Sequence, residues 1–201
     1  MATRIGIFLF PDIEVLDFAG PYEVFTTAAR VVQRQNPQQE PIFSVFSIAE
    51  TCDTVRARAG LQFVPDFCFD SHPPVDVLIV PGGVVNAELD KPHVIDWIRN
   101  TAASASITAS VCTGAFLLAK ADLLTTHKVT THWEDQDDLK NAFPSLDVVN
   151  NVRWVDEGSI VTSAGISAGI DMSLHLVSRM AGMPLAERTA RQMDFEWIRN
   201  K

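Results

Sequence analysis

Short runs of apolar and β-branched residues alternate along the chain with longer segments whose apolar positions recur every three or four residues. The short runs predict strands, because branched and aromatic side chains fit a pleated sheet. They are Arg4–Phe10, Ile42–Ile48, Val75–Val80, Ser106–Val111, Val129–Trp133, Val148–Val155 and Ser159–Thr162. The longer segments predict helices from their period. They are Pro21 to about Arg34, His93–Ala105, Thr113–Leu124, Ser167–Met180 and Leu185–Trp197. Val55–Val64, with Ala59-Gly60 between two short runs, predicts a small hairpin.

Strands that alternate with helices predict a mostly parallel sheet covered on both faces, that is, a flavodoxin-like three-layer α/β/α sandwich. The length of 201 residues suits one sizeable core, so residues 1–201 are expected to form a single domain. Ligand sites in such sheets lie beyond the carboxyl ends of the strands. Three strand ends are therefore of interest: Phe10-Pro11, Val80-Pro81-Gly82-Gly83 and Val111-Cys112-Thr113-Gly114.

Composition and charge exclude several classes of partner. The formal net charge is −9 and no cluster of Lys and Arg occurs, which argues against nucleic acid, since phosphate binding relies on clustered positive charge. No apolar stretch approaches the roughly 20 residues that span a bilayer. The first apolar run, Ile5–Phe10, is short and leads into Pro11-Asp12 without a cleavage site, so no signal peptide is predicted. We expect a cytoplasmic protein that binds neither nucleic acid nor membrane.

The cysteines and histidines do not form a metal-binding pattern. Cys52, Cys68 and Cys112 are odd in number and include no Cys-x-x-Cys, so neither a zinc site nor a disulfide framework is expected, and the first two are predicted to pack. The five histidines are scattered without metal-ligand spacing. No metal and no cofactor is expected.

Cys112 lies at the predicted corner between a strand and a helix. One interpretation is a small buried hydrophobe, because cysteine is among the most buried residue types. The other is a nucleophile elbow, in which a strained backbone lifts the side chain clear of the sheet. In that case the N-terminus of the following helix would favour thiolate over thiol. Gly114, two residues on, permits the close backbone approach that such a corner needs.

Asp17 and His132 are the candidate proton partners. Asp17 lies in the apolar setting Val15–Ala19, where it either caps the helix after Gly20-Pro21 or is buried with a raised pKa that suits proton transfer. His132 ends a predicted strand and is either functional or a structural histidine beside a core tryptophan. Gly165 and Gly169 begin a late helix, where small residues permit close packing or leave N–H groups free for an anion.

Taken together, these segments resemble the ThiJ/PfpI superfamily, whose members are related to class I glutamine amidotransferase domains. The resemblance covers nearly the whole chain and is closest to the isonitrile hydratase branch, through Leu16-Asp17 with Gly20-Pro21 and Cys112 with Thr113-Gly114. The matching motifs, in family order, are "LFP", "LDFAGPYEVF", "DVLIVPGG", "SVCTGAFLLAKADLL", "VTTHW" and "SAGISAGIDMSLHLV".

The resemblance implies roles for individual residues. Cys112 matches the elbow cysteine, and Asp17 matches the acidic residue that hydrogen-bonds to it. Gly82 and Gly83 match a turn whose backbone N–H groups face the thiol like an oxyanion hole.

Three further positions carry over in the same way. Thr113 matches the residue after the nucleophile, whose N–H also points at the thiol. Ile166 matches a backbone position next to the active site, and His132 matches an auxiliary histidine near the cysteine. The protease-like branch has histidine directly after the cysteine. Thr113 stands there in this chain, so peptidase activity is not expected.

The resemblance implies a cysteine-dependent hydration of an isonitrile to an N-substituted formamide by a homodimer that acts on a small molecule. The first alternative is a glyoxalase-like or amide-hydrolysing enzyme. Such an enzyme needs a polar pocket, and the aromatic residues Phe18 and Trp133 weigh against a polar pocket. A non-enzymatic ligand or redox sensor is the second. Direct DNA binding is not expected, because no basic recognition helix and no second domain follow.

Overall fold

The computed structural model describes residues 2–200. Its strands are Thr3–Leu9 (β1), Phe43–Ala49 (β2), Val55–Arg56 (β3), Gln62–Phe63 (β4), Phe67–Cys68 (β5), Val77–Val80 (β6), Ile107–Val111 (β7), Lys128–Val129 (β8), Asp147–Val148 (β9), Trp154–Asp156 (β10) and Ile160–Ser163 (β11). Its α-helices are Val15–Gln35 (α1), Asn86–Leu89 (α2), Pro92–Ser104 (α3), Gly114–Lys120 (α4), Gln136–Ala142 (α5), Ala168–Ala181 (α6) and Met183–Gln192 (α7). A 3₁₀ turn occupies Trp133–Asp135.

The central sheet confirms the predicted α/β sandwich. Its strand order is β10-β11-β7-β6-β1-β2-β5, and every pairing is parallel except that of β10 with β11. Helices α1, α6 and α7 pack against one another, and α2, α3 and α4 form a second group. Every residue of β6 and β7 is buried, as expected for parallel strands covered on both faces. Because β1, β6 and β7 are neighbours, the three strand ends named above lie side by side.

The structure corrects two predicted elements near these strand ends. Helix α1 begins at Val15 rather than Pro21, so Pro21 lies inside it and leaves the Asp17 carbonyl without its usual helical partner. The predicted strand Val129–Trp133 is reduced to β8, which pairs with β9 in a separate small sheet. Trp133 is 72% exposed, so it is not the core tryptophan that the sequence suggested.

Two helices are also shorter than predicted. Helix α4 ends at Lys120, because Asp122 has a left-handed φ of 60° that a helix cannot accommodate. Helix α7 ends at Gln192, and Trp197 beyond it donates its indole N–H to the Asp171 carbonyl. Within residues 2–200, none of the helices combines the length and the apolar character that crossing a membrane requires.

Cys52 and Cys68 form a disulfide, which contradicts the expectation that both simply pack. The sequence could not reveal the pair, because nothing in their spacing shows that the loop after β2 returns beside β5. Cys112 remains as the free cysteine. Disulfides persist mainly in oxidising compartments, so this pair also provides a test of the cytoplasmic location expected from the N-terminal sequence.

We expect the denatured, non-reduced protein to titrate one thiol per chain, and the reduced protein three. Replacing both Cys52 and Cys68 with serine should lower the unfolding free energy by about 3 kcal/mol. The two residues are 16 positions apart, and a disulfide that closes a loop of about 15 residues stabilises a protein by about this amount. Thiol titration with a chromogenic disulfide and urea unfolding measure the two quantities. Three reactive thiols before reduction would contradict the pairing.

Candidate active site

Cys112 occupies a strained corner between β7 and α4. Its φ is 56°, in the left-handed region that residues with side chains rarely adopt. Two hydrogen bonds fix the corner, one through the backbone N–H of Cys112 and one through its carbonyl. The Cys112 N–H donates to the Ser163 carbonyl at 3.2 Å, and its carbonyl accepts the Thr131 hydroxyl at 2.7 Å. The side chain is 7% exposed. The predicted elbow geometry is therefore present, with the thiol almost closed off.

Gly114 allows α4 to start against the end of β6. A Cβ atom built on this residue would lie 2.1 Å from the Val80 carbonyl oxygen, far inside van der Waals contact. Only glycine permits this approach, which brings the elbow next to the Pro81–Gly83 turn.

Asp17 lies in the first turn of α1 and is completely buried. The loop after β1 is joined to the turn after β6, because Glu14 N–H donates to the Gly82 carbonyl at 2.9 Å and Val84 N–H donates to the Asp12 carbonyl at 3.0 Å. This pairing carries the start of α1 to the elbow. Asp17 is thus buried beside the thiol, and the alternative in which it caps a helix starting at Pro21 is wrong.

The carboxyl of Asp17 is only partly hydrogen-bonded. Its Oδ2 accepts the Gly82 N–H at 3.1 Å, whereas Oδ1 has no hydrogen-bond partner among residues 2–200. The Cys112 thiol and the Ile166 N–H lie close enough to influence the pKa of the carboxyl, but neither satisfies Oδ1. A buried carboxylate oxygen without a partner is costly, and protonation lowers that cost by removing the buried charge.

Burial raises the pKa of Asp17 to about 7, an effect that the Glu14 charge reinforces and that the Gly82 N–H and Cys112 thiol oppose. Burial also raises the pKa of the Cys112 thiol, and the charges of Asp17 and Asp135 raise it further. The Thr113 N–H acts in the opposite direction. The helix N-terminus thus favours the thiolate as expected, through the Thr113 N–H, but desolvation and the neighbouring carboxylates outweigh it, and the resting group is a thiol.

The Gly82 and Gly83 donors are already used, which corrects the expected oxyanion hole. Gly82 N–H donates to Asp17, and Gly83 N–H donates to the Thr113 hydroxyl oxygen at 2.9 Å. The same hydroxyl donates to the Gly83 carbonyl at 2.9 Å. A Cβ on Gly82 would lie 2.5 Å from Thr113 Oγ1 and 2.9 Å from Asp17 Oδ2. The turn therefore holds the acid and the elbow together.

Ile166 lies in the loop after β11, beside the elbow. Its φ is 54°, a strained value for a β-branched residue, and it is 40% exposed at the edge of a cavity that Cys112 also lines. Its N–H lowers the pKa of Asp17. The structure thus brings Ile166 to the same site as Cys112 and Asp17.

His132 also lines this cavity. Its Nδ1 lies 3.3 Å from Asp135 Oδ2 and 3.8 Å from Glu134 Oε2. Gly165 leaves room for the ring, since a Cβ there would lie 2.1 Å from the imidazole Cδ2 atom. Its neighbour Trp133 is exposed, so the core tryptophan of the structural alternative is absent beside it.

The cavity above Cys112 has a volume of about 390 Å³. Its lining includes residues that the sequence did not single out, namely Glu14, Arg58, Val84, Val85, Asn86, Leu89, Phe116, Glu134, Asp135 and Asp138. Phe18 packs instead against Phe63, with ring centroids 4.6 Å apart, and does not line it. The pocket is therefore more polar than expected. Among residues 2–200, no group of three or more His, Cys, Asp or Glu side chains is arranged to hold a metal ion.

A flavodoxin-like sheet with a buried cysteine at its elbow and an acid behind it defines the class of protein. The chain belongs to the DJ-1/PfpI family, whose model matches residues 3–179. It is 34% identical to isonitrile hydratase from Pseudomonas putida over 97% of this chain and 79% of that protein. It is 29% identical to the HTH-type transcriptional regulator GbdR from Pseudomonas aeruginosa over 98% of this chain but 52% of the regulator. A solved ThiJ/PfpI family protein from Pseudomonas syringae superposes with a TM-score of 0.84 at 26% identity, over 98% of this chain and 76% of that one.

Proposed function

We propose that the protein hydrates isonitriles to N-substituted formamides, with Cys112 as the nucleophile and Asp17 as the group that moves the protons. The observation that carries this proposal is the buried pairing of the two. The pKa of Asp17 is about 7, so both of its protonation states are populated at neutral pH beside the thiol. The similarity to an isonitrile hydratase supports the choice of reaction.

The first half of the reaction forms a covalent intermediate. Asp17 carboxylate takes the thiol proton as the sulfur attacks the terminal carbon of R–N≡C. The protonated Asp17 then delivers that proton to the same carbon, which gives the thioimidate R–N=CH–S-Cys112. Because the thiol is the resting form, the proton must leave as the C–S bond forms, which requires a base in contact with the sulfur.

The second half of the reaction consumes water. Water adds to the thioimidate carbon, and Asp17 passes a water proton to the nitrogen. The C–S bond then breaks, the formamide carbonyl forms, and the hydroxyl proton returns to the sulfur. The product R–NH–CHO differs from the substrate by one water, and no redox partner or strongly basic leaving group is needed.

The other predicted residues act through position. Gly82 orients the Asp17 carboxyl through its N–H, and the Thr113 hydroxyl fixes the turn through Gly83. Ile166 offers a backbone N–H near the carboxyl. We assign His132, paired with Asp135, an auxiliary role in holding water at the cavity wall.

Purified protein with phenyl isonitrile tests the proposal. We expect N-phenylformamide that carries one ¹⁸O atom when the reaction is run in H₂¹⁸O. Protein whose Cys112 has first been alkylated with iodoacetamide should form no product above the protein-free rate. Complete alkylation without loss of turnover would contradict the role of the thiol, and absence of formamide with the unmodified protein would contradict the reaction itself.

A second candidate function is the sensing of a small ligand. The observation that favours it is the match to the GbdR regulator over nearly the whole of this chain. Under this alternative a ligand would occupy the cavity and protect Cys112 from alkylation without being converted. Redox sensing is less favoured by the site, because the raised pKa of the Cys112 thiol slows oxidation by peroxide.

A further inference from the structure

The cavity above Cys112 carries an excess of negative charge. Four carboxylates line it, from Glu14, Glu134, Asp135 and Asp138, against the Arg58 guanidinium and the His132 imidazole. A site shaped only to exclude water from an uncharged isonitrile would not need these groups.

The positive groups do not neutralise the carboxylates. Arg58 is loosely paired with Glu14, with 3.8 Å between Nη1 and Oε2, and its side chain is 62% exposed. His132 faces both Asp135 and Glu134 but carries at most one charge. Asp138 makes no salt bridge among residues 2–200.

The unneutralised charge comes from one short segment. Glu134 and Asp135 lie in the 3₁₀ turn, and Asp138 lies in the first turn of α5, three residues after Asp135 and four after Glu134. This spacing places the three carboxylates on one face of the helical segment. The Asp135 charge reaches the reacting atom, since it raises the pKa of the Cys112 thiol.

Apolar side chains complete the lining. Val84, Val85, Leu89 and Phe116 contribute to the same cavity. Its volume of about 390 Å³ accommodates a small molecule with a hydrocarbon body and one charged group. Carboxylates attract a cation and repel an anion, and the Asp135 side chain, which is 34% exposed, is screened by solvent less than the Glu134 side chain, which is 63% exposed.

We propose that the site selects small molecules that carry a positive charge, such as an ammonium group, on an apolar body next to the group that reacts at Cys112. The inference rests on the proposed function only for the identity of the reacting group, an isonitrile. The preference for cations follows from the cavity and applies equally to a ligand that is bound without turnover.

Charged thiol reagents test the selectivity without any isonitrile. The cationic reagent is 2-(trimethylammonium)ethyl methanethiosulfonate, and the anionic one is 2-sulfonatoethyl methanethiosulfonate. In both, the Cys112 sulfur displaces methanesulfinate and forms a mixed disulfide. After normalisation to the rates with 2-mercaptoethanol, we expect the cationic reagent to react at least about tenfold faster at low salt, with the ratio falling towards one in 0.5 M salt.

Matched variants test whether the preference for the cationic reagent comes from the acidic wall, which is the part of the cavity lining formed by Glu134, Asp135 and Asp138. Glu134→Gln combined with Asp138→Asn should reduce the ratio severalfold, whereas Asp137→Asn, an exposed neighbour outside the cavity, should leave it unchanged. Cys112→Ser reports any labelling elsewhere. Equal normalised rates, or a faster anionic reagent, would overturn the proposal.

A second arm uses isonitriles of one shape. We expect kcat/KM for (3-isocyanopropyl)trimethylammonium to exceed that for the neutral isostere 4,4-dimethylpentyl isocyanide by at least about tenfold. A higher value for the neutral compound would overturn the preference. If neither isonitrile is converted while the cationic reagent still reacts faster, the hydratase assignment fails and the preference for cations stands.

Discussion

Replacing Cys112 with serine is expected to lower kcat/KM for isonitrile hydration by at least about a thousandfold, because a hydroxyl at the elbow cannot form the thioimidate at a useful rate. Serine is close to cysteine in size, so it fits the nearly closed corner. The residual rate should equal that of the protein-free reaction. Initial rates of formamide formation over a range of isonitrile concentrations measure the effect.

A control variant separates loss of the nucleophile from loss of the fold. The double replacement of Cys52 and Cys68 by serine removes the other two cysteines of the chain and leaves the cavity lining untouched. It should retain turnover at temperatures well below its unfolding transition. If Cys112→Ser kept more than a tenth of the activity while the urea midpoint was unchanged, covalent catalysis by this thiol would be excluded.

The fold could be predicted from the sequence because its central strands carry a strong local signal. Val77–Val80 and Ile107–Val111 are continuous apolar or small-residue runs, and the sheet buries both completely. The predictions failed for elements whose local signal is weaker, and they failed for physical reasons. Val129–Trp133 has strand-like composition, but only its first residue takes part in the pairing of β8. His132 lines the cavity instead, and Trp133 begins a 3₁₀ turn.

The site could be predicted only where its signals are local. Cys112 is marked by the strand before it and the glycine two residues after it. The burial of Asp17 depends on the pairing of the loop after β1 with the turn after β6, which brings together residues 65 positions apart in the sequence. The same contacts use the Gly82 and Gly83 donors and raise the pKa of the thiol. No periodicity or spacing carries such information, and the acidic wall at 134–138 likewise becomes a cavity wall only in the folded chain.

Asp17→Asn is expected to raise the unfolding free energy at pH 8 by about 4 kcal/mol relative to the unmodified protein, since the pKa of Asp17 rises on folding from 3.8 to about 7. The sign follows from proton binding. Between these two values the folded carboxyl holds a proton that the unfolded chain has released, so stability falls as pH rises from about 4 to about 7 and the loss is complete above that. Asparagine keeps an oxygen for the Gly82 N–H and has no charge to bury, so the variant lacks this loss.

The measurement is urea unfolding between pH 4.5 and 8.0, where the Cys112 thiol of the unfolded chain, with an ordinary pKa of 9.0, is still mostly protonated. The difference between Asp17→Asn and the unmodified protein should be small at pH 4.5 and grow to its full size by pH 8, whereas Asp137→Asn, an exposed carboxyl, should follow the unmodified protein throughout. Parallel stability curves for Asp17→Asn and the unmodified protein would contradict the raised pKa.

The same variant tests the proton route in catalysis. Without Asp17 as base, kcat/KM should fall by about a hundredfold or more and lose its rise through pH 7, which reports ionisation of that carboxyl. Alkylation of Cys112 by iodoacetamide should become faster at fixed pH, because the Asp17 charge that raises the thiol pKa is gone. A thiol that is more reactive towards alkylation yet far slower in turnover can be explained only if Asp17 moves protons during the reaction. If turnover instead rose together with alkylation, Asp17 would only suppress the thiolate, and the proposed acid–base role would be wrong.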